Sequence, residues 1–332
     1  MIVLRSTAID IVEENLQSIS SALLRALLKD KTTGKNIIWA TNDYAGYGED
    51  FGQDREITDR LITGKYWNII QPRIAKLKDK QDKRTKNHAE VFTPSWICNQ
   101  QNNLIDERWF GYKNVFNEEK DKTWLTFHNK IKFPEHKTWR DYIDARRIEV
   151  ACGEAPYLAS RYDTTTGERI GLERRIGMLD RKFRILHENA ADDEEWTSWA
   201  FRALQATYGY EFQGDNLLIA RENVLYTFID NYKFRFKVEP DITTLRAAIN
   251  IIIWNIWQMD GRTYKPPRSS NETKPKEPPL FSFFDFEAEN YGFKAHGADP
   301  STGRSDYCII MNWRKKEKIS FKSLLKGKNY ER

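Results

Sequence analysis

An α/β protein built on an open sheet is the fold class this sequence predicts, and three observations carry that expectation. Short β-like runs end in an acid or a small-residue turn at three places, 147–153, 208–211 and 251–261. Stretches at 215–232 and 241–250 between the second and third of these have helical patterning. The 332 residues are enough for one large α/β domain or two ordinary ones, and 11 Trp, 15 Tyr and 18 Phe are far more than a disordered chain carries.

Composition narrows the class. Lys and Arg number 53 against 48 Asp and Glu, a net charge of +5 that does not by itself argue for a nucleic-acid partner. No apolar stretch reaches membrane-spanning length; the most apolar run, Ala247 to Trp257, is broken by Asn250 and Asn255. The N-terminus, Met1 to Arg5, soon meets Glu13 and Glu14 and has no signal-peptide pattern. Three widely spaced cysteines (Cys98, Cys152, Cys308) and five histidines without ligand spacing argue against a disulfide scaffold and against a metal site. The expectation is a soluble protein of a reduced, cytoplasmic compartment, with no membrane partner.

In chain order, residues 8–29 read as an amphipathic helix, with Ile9, Val12, Leu16, Ile19, Leu23 and Leu27 at helical spacing. Asn36 to Thr41 reads as β-like, followed by the turn-prone Asn42-Asp43-Tyr44, and a second helix is expected over 54–63, stopped by Gly64. Seven basic side chains between 73 and 86 suit a solvated helix face or a phosphate-contacting one equally. Residues 188–195 are an acidic loop or helix start, and 262–280, with five prolines, is a loop or linker. The tail from Arg314 carries eight basic residues against two acidic ones. The resulting division is a mostly helical N-terminal extension over 1–89, then an α/β domain over 90–332.

The chemistry lies in three strand ends. Arg147-Ile-Glu149-Val-Ala151-Cys152-Gly153 is a short strand running into a small-residue turn, where backbone can approach a ligand closely. Tyr208-Gly-Tyr-Glu211 ends in a carboxylate just before a helix, suited to hold both hydroxyls of a ribose. Ile251 to Asp260 reads as an apolar strand ending in Asp-Gly, suited to accept from an adenine amino group. Three such ends side by side are where an open α/β sheet binds a nucleoside. Cys152 reads as a small buried residue, since nothing nearby would lower its pKa.

A fourth segment, Glu90-Val-Phe-Thr93-Pro94-Ser-Trp96-Ile, resembles the one that opens the catalytic domain of many adenine-N6 DNA methyltransferases. The order of this segment, Ala151-Cys152-Gly153, Glu211 and Asp260 matches that family. The chain further resembles the M subunits of restriction-modification systems, through Asn36–Thr41, Gln101–Asp106, Ser160–Thr164, Gln213–Asn216 and Gln258–Asp260. The resemblance implies a Rossmann-like, doubly wound methyltransferase sheet binding S-adenosylmethionine. Thr93 and Pro94 would sit near its methionine moiety, and Glu149 with Ala151 to Gly153 would line the loop beside it. Glu211 would hold the ribose and Asp260 the adenine. DNA and a restriction or specificity subunit are the implied partners.

That family also carries an Asn or Asp, then Pro-Pro and an aromatic, to accept the hydrogens of a flipped amine and stack on its base. No Asn-Pro-Pro-Tyr occurs here. Asn312-Trp313, after the apolar run Tyr307 to Met311, is the substitute in the expected order and the candidate catalytic pair; Asn42-Asp43-Tyr44 would require a permuted arrangement. The alternative is a non-catalytic subunit that keeps the fold and holds DNA or a partner through the basic residues at 73–86 and 314–332.

Overall fold

The computed structural model describes residues 13–76, 93–267 and 306–325. Its centre is a three-stranded parallel sheet of β3 (Arg147–Val150), β4 (Thr207–Glu211) and β5 (Ile256–Gln258), hydrogen-bonded in that order. Two helices, α5 (Met178–Asn189) and α6 (Asp193–Gln205), connect β3 to β4. Two more, α7 (Gly214–Phe236) and α8 (Ile242–Asn255), connect β4 to β5. Two antiparallel hairpins flank this unit: β1 (Asn117–Lys120) with β2 (Thr123–Thr126), and β6 (Ile309–Asn312) with β7 (Glu317–Ser320). The fold is mixed α/β.

The strand order explains how the sheet is covered. Strands laid down in one direction by right-handed crossovers place both connections on the same face. Gly209 and Ile256 accordingly face Leu158 and Cys152 on the helical side, within the main core. Tyr208, Tyr210 and Trp257 alternate to the other face. There they pack with Met259 just past β5, with Cys308 and Ile310 at the β6–β7 hairpin, and with Phe321 at the start of the short α9 (Phe321–Leu325). Winding on both faces needs a strand beyond β3, and among the described residues none pairs with that outer edge.

Several expected elements take another form. The run 251–257 is helix up to Asn255, and only Ile256–Gln258 is strand. Continuous apolar residues suit a buried helix as well as a buried strand, and here Asp241 caps the helix by accepting from Thr244 N at 2.8 Å. Described from Glu13, the first helix is two, α1 (Glu13–Ile19) and α2 (Ser21–Leu27), broken at Ser20, whose φ of −167° is extended. The expected 54–63 helix is a 3-10 turn at Asp59–Leu61, and Ile38 bridges Glu56 in antiparallel fashion. Leu16, Leu23, Leu27, Ile37, Trp39 and Ile57 join the same core as the helices of the sheet. Of the basic run 73–86 only residues 73–76 are described; the 262–280 segment lies outside the described residues from 268 onward, and the tail from 326.

One helix packs through buried amides as well as apolar side chains. α3 (Ser95–Phe110) buries Asn99, Asn102, Asn103 and Asp106 and leaves Leu104 57% exposed. The reason is Arg181 of α5, itself buried, whose guanidinium donates to Asp106 Oδ2, to Asn99 Oδ1 (2.8 Å) and to Asn103 Oδ1 (2.7 Å). Asn99 and Asn117 exchange amide hydrogen bonds at 2.9 and 2.8 Å, and the Tyr142 hydroxyl (on α4, Trp139–Asp144) donates to Asp106 Oδ1. A buried guanidinium is tolerated because carboxylate and amide oxygens surround it.

Candidate functional site at the carboxyl edge of the sheet

The loop leaving β3 carries the local strain. Ala151 and Ala155 have φ of 48° and 62°, and Gly153 has 54°. A non-glycine residue in the left-handed region costs on the order of 1 kcal/mol, and such residues concentrate at ligand-binding loops. The loop is pinned by two buried carboxylates. Glu149 accepts from Tyr157 N (3.4 Å) and Leu158 N (3.1 Å). Glu211 accepts from Gly153 N (2.8 Å) and Gln213 N (3.0 Å), so one side chain ties the loop after β3 to the loop after β4. Burial pushes both carboxyls above the usual range, most strongly Glu149, against the lowering effect of these amides.

Thr93 and Pro94 lie against the same loop. The Thr93 carbonyl accepts from Thr164 Oγ1 (3.2 Å), and the Tyr157 side chain hydrogen-bonds to Thr93. Ser95 N donates to Asp163 Oδ2 at 2.7 Å, and Asp163 also holds the turn at Thr165 and Thr166. On the far side, Met259 N donates to the Glu211 carbonyl (3.0 Å), which places Asp260 just beyond the end of β5. Asp260 Oδ1 accepts from Arg262 N at 2.8 Å, an Asx turn. Thr93, Pro94, Glu149, Ala151, Cys152, Gly153, Glu211 and Asp260 thus form one connected edge. Cys152 is buried, and burial, ahead of the nearby Glu149 and Glu211, pushes its thiol well up, which leaves it without thiolate character.

Asn312 and Trp313 are elsewhere. Asn312 Oδ1 accepts from Arg146 (3.4 Å), and the Trp313 indole donates to Asn255 Oδ1 (2.7 Å). Arg146 and Asn255 immediately precede β3 and β5, so the pair sits at the amino ends of the strands, away from Gly153 and Glu211. The apolar run ending at Asn312 is a strand, one arm of the antiparallel β6–β7 hairpin, because Glu317–Ser320 folds back on it.

The permuted candidate does reach the carboxyl edge. Gln258 donates through Nε2 to Ile38 O (2.8 Å) and accepts from Ile38 N (2.9 Å), so its amide acts as one rung of a ladder. Gly214 N donates to Trp39 O at 3.0 Å. Beyond Ala40, whose φ is 53°, Tyr44 donates to Asp215 Oδ2 (2.6 Å), and Lys76 pairs with the same oxygen at 3.0 Å. Asn42 and Asp43 are exposed between these anchors. Lys76 is therefore a buried ion-pair partner rather than part of a solvated face. Gly214, Asp215 and Gln258 fall within segments that carry the family resemblance, but sequence reasoning gives none of them a role; the Gly-Asp pair opening a long helix is a further signal for the first two.

No protein-family model, no curated protein and no solved structure matches this chain. Among the described residues no group of three or more His, Cys, Asp or Glu side chains is placed to hold a metal ion, and no helix is long and apolar enough to cross a membrane.

Proposed function

We propose that this chain is an S-adenosylmethionine-binding, DNA methyltransferase-like subunit of a restriction-modification system, of the adenine-N6 type, with a Rossmann-like sheet. The observation that carries the reading is the convergence of the Gly153 loop, Glu211 and Asp260 on adjacent parallel strands in the order a nucleoside site needs. The residues present fit the cofactor. Each Glu211 oxygen has accepted one amide, and a carboxylate oxygen has a second lone pair for a ribose hydroxyl. Asp260 would accept from the adenine amino group, and Thr93 and Pro94 would cover the methionine end. The bound cofactor supplies an electrophilic methyl group; the chain's own part is to orient it and exclude water.

A second reading, a binding subunit that keeps the fold without catalysis, is favoured by the position of Asn312 and Trp313 at the amino ends of the strands. Calorimetric titration with S-adenosylmethionine tests the shared pocket. Asp260→Ala and Glu211→Ala should each weaken binding by about 1–3 kcal/mol, the value of a lost buried hydrogen bond. Because Glu211 also pins two loops, Glu211→Gln with a thermal-melting control separates contact from folding. Unchanged affinity in folded variants removes the pocket. Mass spectrometry of DNA nucleosides from a methylation-deficient host expressing the chain then decides between catalysis and binding alone.

A further inference from the structure

A like-charge cluster stands apart from the carboxyl edge. Trp254, in the last turn of α8, lies below two ammonium groups: Lys31 Nζ is 5.3 Å and Lys318 Nζ 5.5 Å from its ring centroid. Lys31 is held there by donation to Asn250 Oδ1 at 3.0 Å. Asn250 is one helical turn before Trp254, and the exposed Arg246 is one turn earlier again. The three share a stripe about 12 Å long at 1.5 Å per residue.

The two ammonium groups share this face. Burial first, then Lys318 and Arg221, lower the affinity of Lys31 for its proton. Arg221 is fully buried, and its Nη2 has no hydrogen-bond partner, although Nε and Nη1 donate to Ile256 O, Leu27 O and Lys29 O. Among the described residues no carboxylate forms an ion pair with Lys31 or Lys318. Asp30 accepts from Thr32 N and Thr33 N, and its charge acts on Arg221. Glu317, on the adjacent strand position, turns to Asn312 and Lys315 instead. Two ammonium groups converge on one aromatic face, with an amide fixing one of them and no ion-paired carboxylate beside either among the described residues, an arrangement that an anion would stabilise.

We infer that Lys31, Lys318 and the Arg246–Asn250–Trp254 stripe of α8 form a binding site for the phosphate backbone of duplex DNA. The inference rests on the DNA-linked reading above, but the site is a separate one: it lies where α8 enters β5, at the other end of that strand from Asp260. It would hold DNA by charge without reading sequence.

The test is fluorescence polarisation with a short labelled duplex of mixed sequence, comparing wild type with the Lys31→Gln/Lys318→Gln double variant. Neutralising two phosphate contacts should flatten the slope of log K against log salt by about 1.8, so between about 50 and 200 mM salt the wild type loses roughly tenfold more affinity than the variant. Lys31→Arg/Lys318→Arg, which keeps the charge, should restore the wild-type slope, and an unchanged melting transition shows that the variants fold. Lys120→Gln/Lys122→Gln, at the β1–β2 turn, is the control and should leave the slope unchanged. Equal slopes in wild type and the first double variant overturn the site. So does loss confined to RNA with duplex DNA unaffected, and so does a wild type that does not bind DNA at all. Titration with S-adenosylmethionine is independent of all three outcomes, so failure of the phosphate site is distinguishable from failure of the cofactor pocket.

Discussion

Replacing Gly214 with alanine puts a methyl group where the chain has no room for one. A Cβ there would lie 2.0 Å from the carbonyl oxygen of Ile38 and 2.9 Å from its carbonyl carbon, both backbone atoms. Ordinary contact begins near 3.4 Å, so the 36–41 segment must withdraw by about 1.4 Å. That movement breaks the Gly214 N–H bond to Trp39 O and opens the Gln258 clamp on Ile38. Three hydrogen bonds at about 0.5–1.5 kcal/mol each and overpacking at about 1–3 kcal/mol set the scale of the loss. The gain in helix propensity returns at most about 1 kcal/mol, and partial relaxation recovers more, so the net expectation is a loss of about 2–4 kcal/mol. Urea unfolding measures it, and hydrogen exchange locates it: amides of Ile37, Trp39 and Ile57 should lose protection before those of β4. Gly171 has an ordinary φ and open space within 4 Å of where a Cβ would stand, so it should accept alanine without loss. A Gly214→Ala protein within about 0.5 kcal/mol of wild type, with exchange at Ile37–Ile57 unchanged, would refute the claim that this segment is seated on the sheet's carboxyl edge.

Three further outcomes can be measured on the same material. Arg181→Ala leaves Asp106 and two asparagines buried without their donor and should destabilise the protein by about 3–5 kcal/mol in urea unfolding; Arg181→Lys should not restore it, since one ammonium cannot serve three acceptors in the guanidinium's plane. His187 accepts at Nδ1 from the Trp196 indole, so Nε2–H donates to Asn231 Oδ1, and burial lowers the imidazole to about 4 from 6.5. A depressed histidine stabilises fully above its unfolded pKa: stability should fall as pH drops from about 6.5 towards 4, and His187→Gln should flatten that decline. Burial raises all three thiols, so Cys98, Cys152 and Cys308 should resist iodoacetamide in native protein and react on unfolding; stoichiometric labelling of the folded chain would contradict their placement.

The strand ends of the edge are more legible in the sequence than the elements between them. Strand β3 and the acid ending β4 stand where patterning puts them, because each is a short run closed by a turn. The third run departs from its pattern: Ile251-Ile-Ile-Trp254 has β-branched residues that suit a strand, but tertiary packing between α2, α6 and α7 keeps it helical to Asn255. Asn312 ends a strand, as its pattern suggests, and yet the strand belongs to a hairpin on the far face of the sheet. Which sheet a strand joins, and which way it runs, is set by pairing with residues distant in the chain and has no local signature. Lys76 shows the same limit, since a basic run does not announce that one member will be buried against Asp215 139 residues away.

The buried amides of α3 have a consequence for how this protein tolerates change. In most helices the leucines are the fixed positions and the asparagines drift. Here a saturation library should show Asn99, Asn103 and Asp106 held nearly invariant by the hydrogen-bonding geometry around Arg181, Asn102 by its bonds to Tyr157 O and Ile176 O, and Leu104, more than half exposed, free to become almost any helix-compatible residue. An apolar contact is satisfied by shape within wide limits, but an amide must present a donor and an acceptor in the right direction. Random drift that conserves only the hydrophobic pattern would therefore not preserve that helix.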